Sequence, residues 1–131
     1  MPFSITHRVQ FSETDMARVV HFSNYFKWME EIEHAFFRSL GLSVVMEKIS
    51  WPRIATSCEY LLPARFEDEV TLVLRVTRVG GKSLSYEVDF LIAGQAAAKG
   101  QLTSVCCAVS PQGFSAMAIP PAIREKLAAA G

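Results

Sequence analysis

The residue in this sequence whose type and place most suggest chemistry is a lone carboxylate, Asp15, in a short polar turn. Ser23-Asn24 follows, and both side chains can accept the free N–H groups at the start of a helix. An acid just before a helix N-terminus has two uses. The free N–H groups attract developing negative charge, and the carboxylate can activate water. His21 is polar between Val20 and Phe22, where it either touches a ligand or makes a structural hydrogen bond. Glu33 falls on the apolar side of the expected helix, so it is either a buried functional acid or the edge of a polar notch.

Other constellations are weaker. Glu30 and His34 stand four apart on the polar helix face, a spacing that can bind metal, but no third ligand is in view and a solvated pair is the reading. Gly81-Lys82-Ser83 resembles the tail of a phosphate-binding loop. Val76, however, occupies the place of its first glycine, and a strand follows where that motif needs a helix. Cys58, Cys106 and Cys107 lack metal-type spacing and read as small core or interface residues in a reducing compartment. Neither a Ser-His-Asp nor a Cys-His-Asn triad has local support.

These residues need elements to position them. From Ser23 to Leu40 the apolar side chains Tyr25, Phe26, Trp28, Met29, Ile32, Ala35, Phe36, Phe37 and Leu40 fill an arc of roughly 200° at helical spacing. Gly41 stops the helix. So wide an apolar face calls for a sheet wrapped around it or a second subunit over it. Alternation predicts strands over residues 5–12, with Ile5, His7, Val9 and Phe11 on one face, and over 54–62, 70–77, 83–92 and 97–109. Gly80-Gly81 and Gly94-Gln95 supply hairpin turns. Ser43 to Ile49 reads as one or two helical turns, and Ala122 to Ala130 as a short C-terminal helix. Hairpin-linked strands are antiparallel neighbours, and the economical arrangement curls them around the apolar helix.

The chain of 131 residues is a single domain, residues 1–131, by size. Its 13 basic and 13 acidic residues cancel, and no basic stripe interleaves with aromatics, which disfavours nucleic acid as a partner. No apolar run approaches the ~20 residues of a membrane span. The start lacks a charged-then-apolar leader, so the cytoplasm is expected. Half the residues are hydrophobic, and Val105 to Val109 is apolar on both faces, which together suggest an oligomer.

Phe11 to Tyr25, FSETDMARVVHFSNY, resembles the signature of the hotdog-fold acyl-CoA thioesterases of the 4-hydroxybenzoyl-CoA thioesterase type. That signature has an Asp-x-x-Gly-x-Val core, an aromatic pair, and a Tyr ten residues after the Asp. Glu59 to Val70, EYLLPARFEDEV, is similar to the family's exit from the second strand. The resemblance covers roughly residues 5–110. It implies an α+β hotdog fold, a five-stranded antiparallel sheet around a long central helix. It makes Asp15 the catalytic carboxylate and the backbone N–H of Phe22 the polariser of a thioester carbonyl. It also implies a site at a dimer interface, and so a homodimer or homotetramer. Two positions depart from the pattern: Arg18 stands where the family usually has Gly, and His21 where it often has Tyr or Trp.

Thioester hydrolysis asks little of a protein. The leaving thiolate has a pKa near that of free cysteine, about 8.5, so a stabilised oxyanion and an activated water or nucleophile suffice. The expected activity is hydrolysis of a coenzyme A thioester without cofactor or metal. His21, Tyr25 and Glu33 are candidate substrate contacts, and Lys82 a candidate rim cation for coenzyme A phosphates. Phe22, Tyr25, Phe26 and Trp51 suit aromatic or medium-length acyl groups equally. Two alternatives share the fold: a hydratase or dehydratase, for which His21 with Asp15 is the sole candidate pair, and a non-catalytic acyl-binding module.

Overall fold

The computed structural model describes residues 2–44, 46 and 48–130. Its centre is the helix α1 (Ser23–Ser39). Tyr25, Trp28, Met29, Ile32, Phe36 and Phe37 are buried, with Phe26 and Leu40 packed at the margin of the core. The helix closes as its sequence suggests. Gly41 takes φ 75° and its N–H donates to Arg38 O at 3.0 Å, while the Leu42 N–H donates to Phe37 O at 2.8 Å. This paired closure satisfies carbonyls that would otherwise end unbonded.

Against α1 lies one antiparallel sheet of five strands: β1 (Phe3–Arg8), β3 (Arg53–Tyr60), β4 (Glu69–Val79), β5 (Ser83–Ile92) and β6 (Gln95–Val105), in the order β1-β4-β5-β6-β3. The alternation in β5 is exact in its outcome: Leu84, Tyr86, Val88 and Phe90 are buried, while Ser83, Ser85, Glu87 and Asp89 face the other side. This is the expected α+β hotdog arrangement. Gly100, in β6, is what lets helix and sheet close together. A Cβ built there would overlap Met29 Sδ and touch the Phe90 ring. A smaller antiparallel sheet, β2 (Ile49–Ser50), β7 (Cys107–Ser110) and β8 (Gly113–Ala116), and the helix α2 (Pro121–Ala130) complete the chain.

Four expectations need correction. β1 ends at Arg8, and Phe11 lies in a short 3-10 turn, Phe11–Glu13, 75% exposed. The Glu13 carboxylate captures the Gln10 N–H at 2.7 Å and turns the chain out of the strand. The strand expected over 97–109 breaks at Cys106, whose N–H donates to Lys82 O at 2.7 Å, and continues as β7 in the second sheet. The β8 hairpin had no sequence expectation. The β5–β6 turn is Ala93-Gly94 rather than Gly94-Gln95, both residues having positive φ as a tight two-residue hairpin requires. The helical turns expected over Ser43 to Ile49 fall partly on Val45 and Glu47, outside the described residues; Ile49 itself is in β2.

Because Gly100 sits under a buried helix, Gly100→Ala is expected to lower stability by about 1–3 kcal/mol, the usual cost of overpacking a filled core. Urea unfolding measures this directly. An unchanged midpoint would show that Met29 can give way freely.

Candidate functional site

The loop between β1 and α1 is built around Glu13. Its carboxylate accepts from Gln10 N–H, from Trp28 Nε1 at 2.8 Å, and pairs with His7 Nε2 at 2.9 Å. One side chain thus ties β1, the loop and α1 together. Its backbone carbonyl accepts from the His21 N–H at 2.9 Å and from Asn24 Nδ2 at 2.8 Å. The second bond corrects the capping expectation. Asn24 reaches back to the loop, and Ser23 Oγ meets His21 Nδ1 at 2.8 Å, so neither side chain caps α1; Phe22 is the cap residue by position and makes no side-chain cap.

Within this frame residues 14–20 form a tight hairpin, closed by a bridge between Thr14 and Val20. The Asp15 N–H donates to Val19 O at 3.0 Å, the Arg18 N–H to Asp15 O at 2.9 Å, and Asp15 Oδ1 accepts from the Ala17 N–H at 2.8 Å. Arg18 has φ 65°, the left-handed conformation that glycine adopts freely. The turn is therefore kept despite the arginine. The Val20 N–H donates to Ala64 O at 2.8 Å, which docks the hairpin on the segment leaving β3.

Asp15 stands exposed where two grooves meet. One, of about 360 Å³, is lined by Asp15, Val19, Val20, Phe22, Tyr25, Tyr60, Leu61, Leu62 and Pro63. The other, of about 620 Å³, is lined by Phe11, Thr14, Asp15, Met16, Arg18 and Phe66. Phe22 has helical dihedrals, φ −56° and ψ −28°, and its N–H has no acceptor among the described residues. An unbonded N–H at a helix start is a donor ready for an anionic oxygen. Its carbonyl is held by the Tyr60 hydroxyl at 3.2 Å.

The expected site residues divide. Asp15, Phe22 and Tyr25 come together on one groove. Tyr25 is buried against Trp28, Tyr60 and Phe90, with ring centroids 5.0 to 5.3 Å apart. Burial, reinforced by Cys58, raises its hydroxyl pKa, and Tyr60 is pushed up to about 12 by the same two causes. Both are neutral phenols. His21 lies next to them, exposed, its ring on Phe22 at 4.6 Å and its Nδ1 on Ser23, with no hydrogen bond to Asp15. Glu33 is eleven residues further along α1 than Phe22, about 16 Å away by helical rise. There it is fully buried and bidentate to Arg53, with His34 at 4.0 Å. Glu30 faces Arg53 at 3.7 Å rather than His34. Lys82 sits in the β4–β5 turn, at the opposite end of an 11-residue strand from Glu69, roughly 35 Å away. Tyr60, Leu61, Leu62 and Phe66 were missed as lining residues. Their one sequence signal was membership in the Glu59 to Val70 segment.

The sequence pattern that defines the thioesterase superfamily matches residues 17–98. A solved gentisyl-coenzyme A thioesterase superposes with a TM-score of 0.87 at 28% identity, covering 95% of this chain and 99% of that one. A 1,4-dihydroxy-2-naphthoyl-CoA hydrolase of Synechococcus sp. (strain WH7803) is 28% identical over 95% of this chain and 88% of its own. A protein of Aquifex aeolicus (strain VF5) with a provisional esterase name is 38% identical, over 52% of this chain and only 56% of its own length. The chain belongs to the thioesterase superfamily, a class of thioester hydrolases. No helix among the described residues is long and apolar enough to cross a membrane.

The Glu13 node generates a pH prediction. Burial pushes its carboxyl up, but the Gln10 N–H, His7 and Trp28 together outweigh burial and hold it below its ordinary value of 4.5. A folded pKa below the unfolded one gives stabilisation that is complete above about 4.5 and is lost as pH falls through the folded value. Glu13→Gln is therefore expected to be less stable than wild type at neutral pH, and to lose less on acidification. Urea unfolding from about pH 3 to pH 7 checks this. Equal acid slopes for the two proteins would contradict it.

Proposed function

We propose that this protein hydrolyses a coenzyme A thioester, with Asp15 as general base or nucleophile and the Phe22 N–H holding the oxyanion. The observation that carries the reading is that Asp15 and Phe22 line one groove while the Phe22 N–H lacks an acceptor among the described residues. A carbonyl placed between them meets a carboxylate on one side and a helix-start donor on the other, the two groups acyl transfer needs. The two grooves that meet at Asp15 give a thioester's two arms separate paths, acyl one way and pantetheine the other. The larger groove, with Phe11 edge-on to Phe66, suits an aryl acyl group, and two relatives are named for aromatic acyl-CoA substrates. A hydratase would need His21 and Asp15 to act as a pair; each is hydrogen-bonded elsewhere. His21, Tyr25, Glu33 and Lys82 stand as the proposed substrate contacts, the last two only if a second subunit brings them to the substrate.

In this reading the protein is a homodimer at least. The eight-residue β3 is an edge strand, exposed along nearly its whole length, with Ile54 63% exposed. Such an edge pairs readily with another strand, and a second copy joined there would lie close to Tyr60. Light scattering is expected to give at least twice the monomer mass. A stable monomer at micromolar concentration would overturn this. With three free cysteines and no described disulfide, the cytoplasm is the proposed compartment.

Asp15→Asn keeps size and removes both charge and basicity. Turnover of an aryl-CoA panel, followed by free-thiol release, should lose about 10²–10⁴ in kcat with KM little changed, the mark of an interaction made chiefly in the transition state. Near-wild-type kcat in this variant would remove Asp15 from the mechanism.

A further inference from the structure

Arg18 occupies a place in which an arginine is strained and a glycine would not be. At φ 65° its Cβ crowds the following carbonyl. The hairpin uses only its backbone, through the N–H bond to Asp15 O. Its side chain makes no hydrogen bond or ion pair among the described residues. Fold stability therefore gives no reason for a cation here, and a strained residue beside a reactive group points to a task for its side chain.

The surroundings define that task. Arg18 lines the larger groove together with Asp15 and Thr14, and the apolar walls of that groove are Phe11, Met16 and Phe66. Phe11 and Phe66 meet edge-on at 5.7 Å, and all three wall residues are exposed, from 49% to 102%. One cation at an apolar groove complements a ligand that is apolar along its length and carries an anionic oxygen. Because Arg18 closes a turn on Asp15, the two Cα atoms lie within about 7 Å. The phosphates of coenzyme A are separated from the thioester by the whole pantetheine arm, which is longer than an arginine side chain. The acyl group, by contrast, begins at the thioester carbon.

We propose that Arg18 binds an anionic oxygen carried by the acyl group in the Phe11–Met16–Phe66 groove, and so selects thioesters of acids bearing a second carboxylate or a phenolate. This rests on the thioesterase reading above, with the reacting carbonyl at Asp15. Discrimination follows from the missing partner: a neutral acyl group leaves the guanidinium without its anion.

Two stable thioethers of matched shape test it by calorimetry, S-carboxybutyl-coenzyme A and S-pentyl-coenzyme A, together with the same thioethers of pantetheine, which lack the nucleotide phosphates. Wild type should bind the carboxylate ligand roughly tenfold more tightly, the scale of one charge-assisted hydrogen bond. Arg18→Gly, which suits the backbone, should abolish that preference and leave the pentyl ligand unaffected, and Arg18→Lys should keep part of it. The preference should persist in the pantetheine pair. The assignment is overturned if wild type shows no preference, if Arg18→Gly weakens both ligands equally or neither, or if lysine behaves as glycine. It is also overturned if the Arg18→Gly effect appears with both coenzyme A ligands and vanishes with both pantetheine ligands, which would give Arg18 to the phosphates. These readouts do not depend on turnover. Absence of hydrolysis on every thioester, with the binding preference intact, rejects the thioesterase reading alone.

Discussion

A helix as apolar as α1 can be hidden from water only where the sheet lets it come close, and at Gly100 the sheet has no side chain in the way. Met29 Sδ fills the space a Cβ would take, beside Phe90. That approach lets Trp28, Met29, Ile32 and Phe36 bury in one core, Met29 over Gly100, Trp28 between His7 and Phe90, and Phe36 against Phe3. Each such side chain is worth about 1.5–3 kcal/mol when removed from water, so the helix position is set by packing rather than by helix propensity. Because the helix is fixed along its length, its first N–H groups are fixed too. The same constraint that makes the fold also aims the donor at Phe22.

A second interaction converts a fixed helix into a fixed site. The Glu13 carboxylate joins His7 of β1, the Gln10 N–H of the loop and Trp28 of α1, and its backbone carbonyl holds His21 and Asn24. Asp15 is two residues from this node, and its hairpin docks through Val20 on Ala64. The carboxylate remains exposed, with one oxygen taken by the Ala17 N–H. Tyr60 completes the arrangement from the edge strand by holding the Phe22 carbonyl.

How much of this was legible in the sequence depended on whether an element reports itself locally. The helix did, because side-chain periodicity and Gly41 are both local signals, and β5 did through its alternation. The end of β1 did not. Alternation runs on through Phe11, while the bond that stops the strand comes from Glu13. Ser23 and Asn24 looked like caps by type, but their hydrogen bonds point to His21 and Glu13. The break at Cys106 is made by Lys82 O, a residue from another hairpin. Asp15, Phe22 and Tyr25, candidates through the resemblance of one contiguous stretch, line one groove. Tyr60 and Phe66 had no such signal, because they come near Asp15 through chain folding alone. Glu33 and Lys82 failed to join them within the chain for the converse reason: helix rise and strand length carry them away.

The proposed chemistry requires that Asp15 and the Phe22 N–H converge on one thioester carbonyl. A crystal structure of the Asp15→Asn protein with an intact aryl-CoA thioester tests it most directly. The carbonyl oxygen is expected about 3 Å from the Phe22 nitrogen, with the residue-15 side chain facing the carbonyl carbon. A thioester bound with its carbonyl turned away from both, or lodged elsewhere on the sheet, would contradict it.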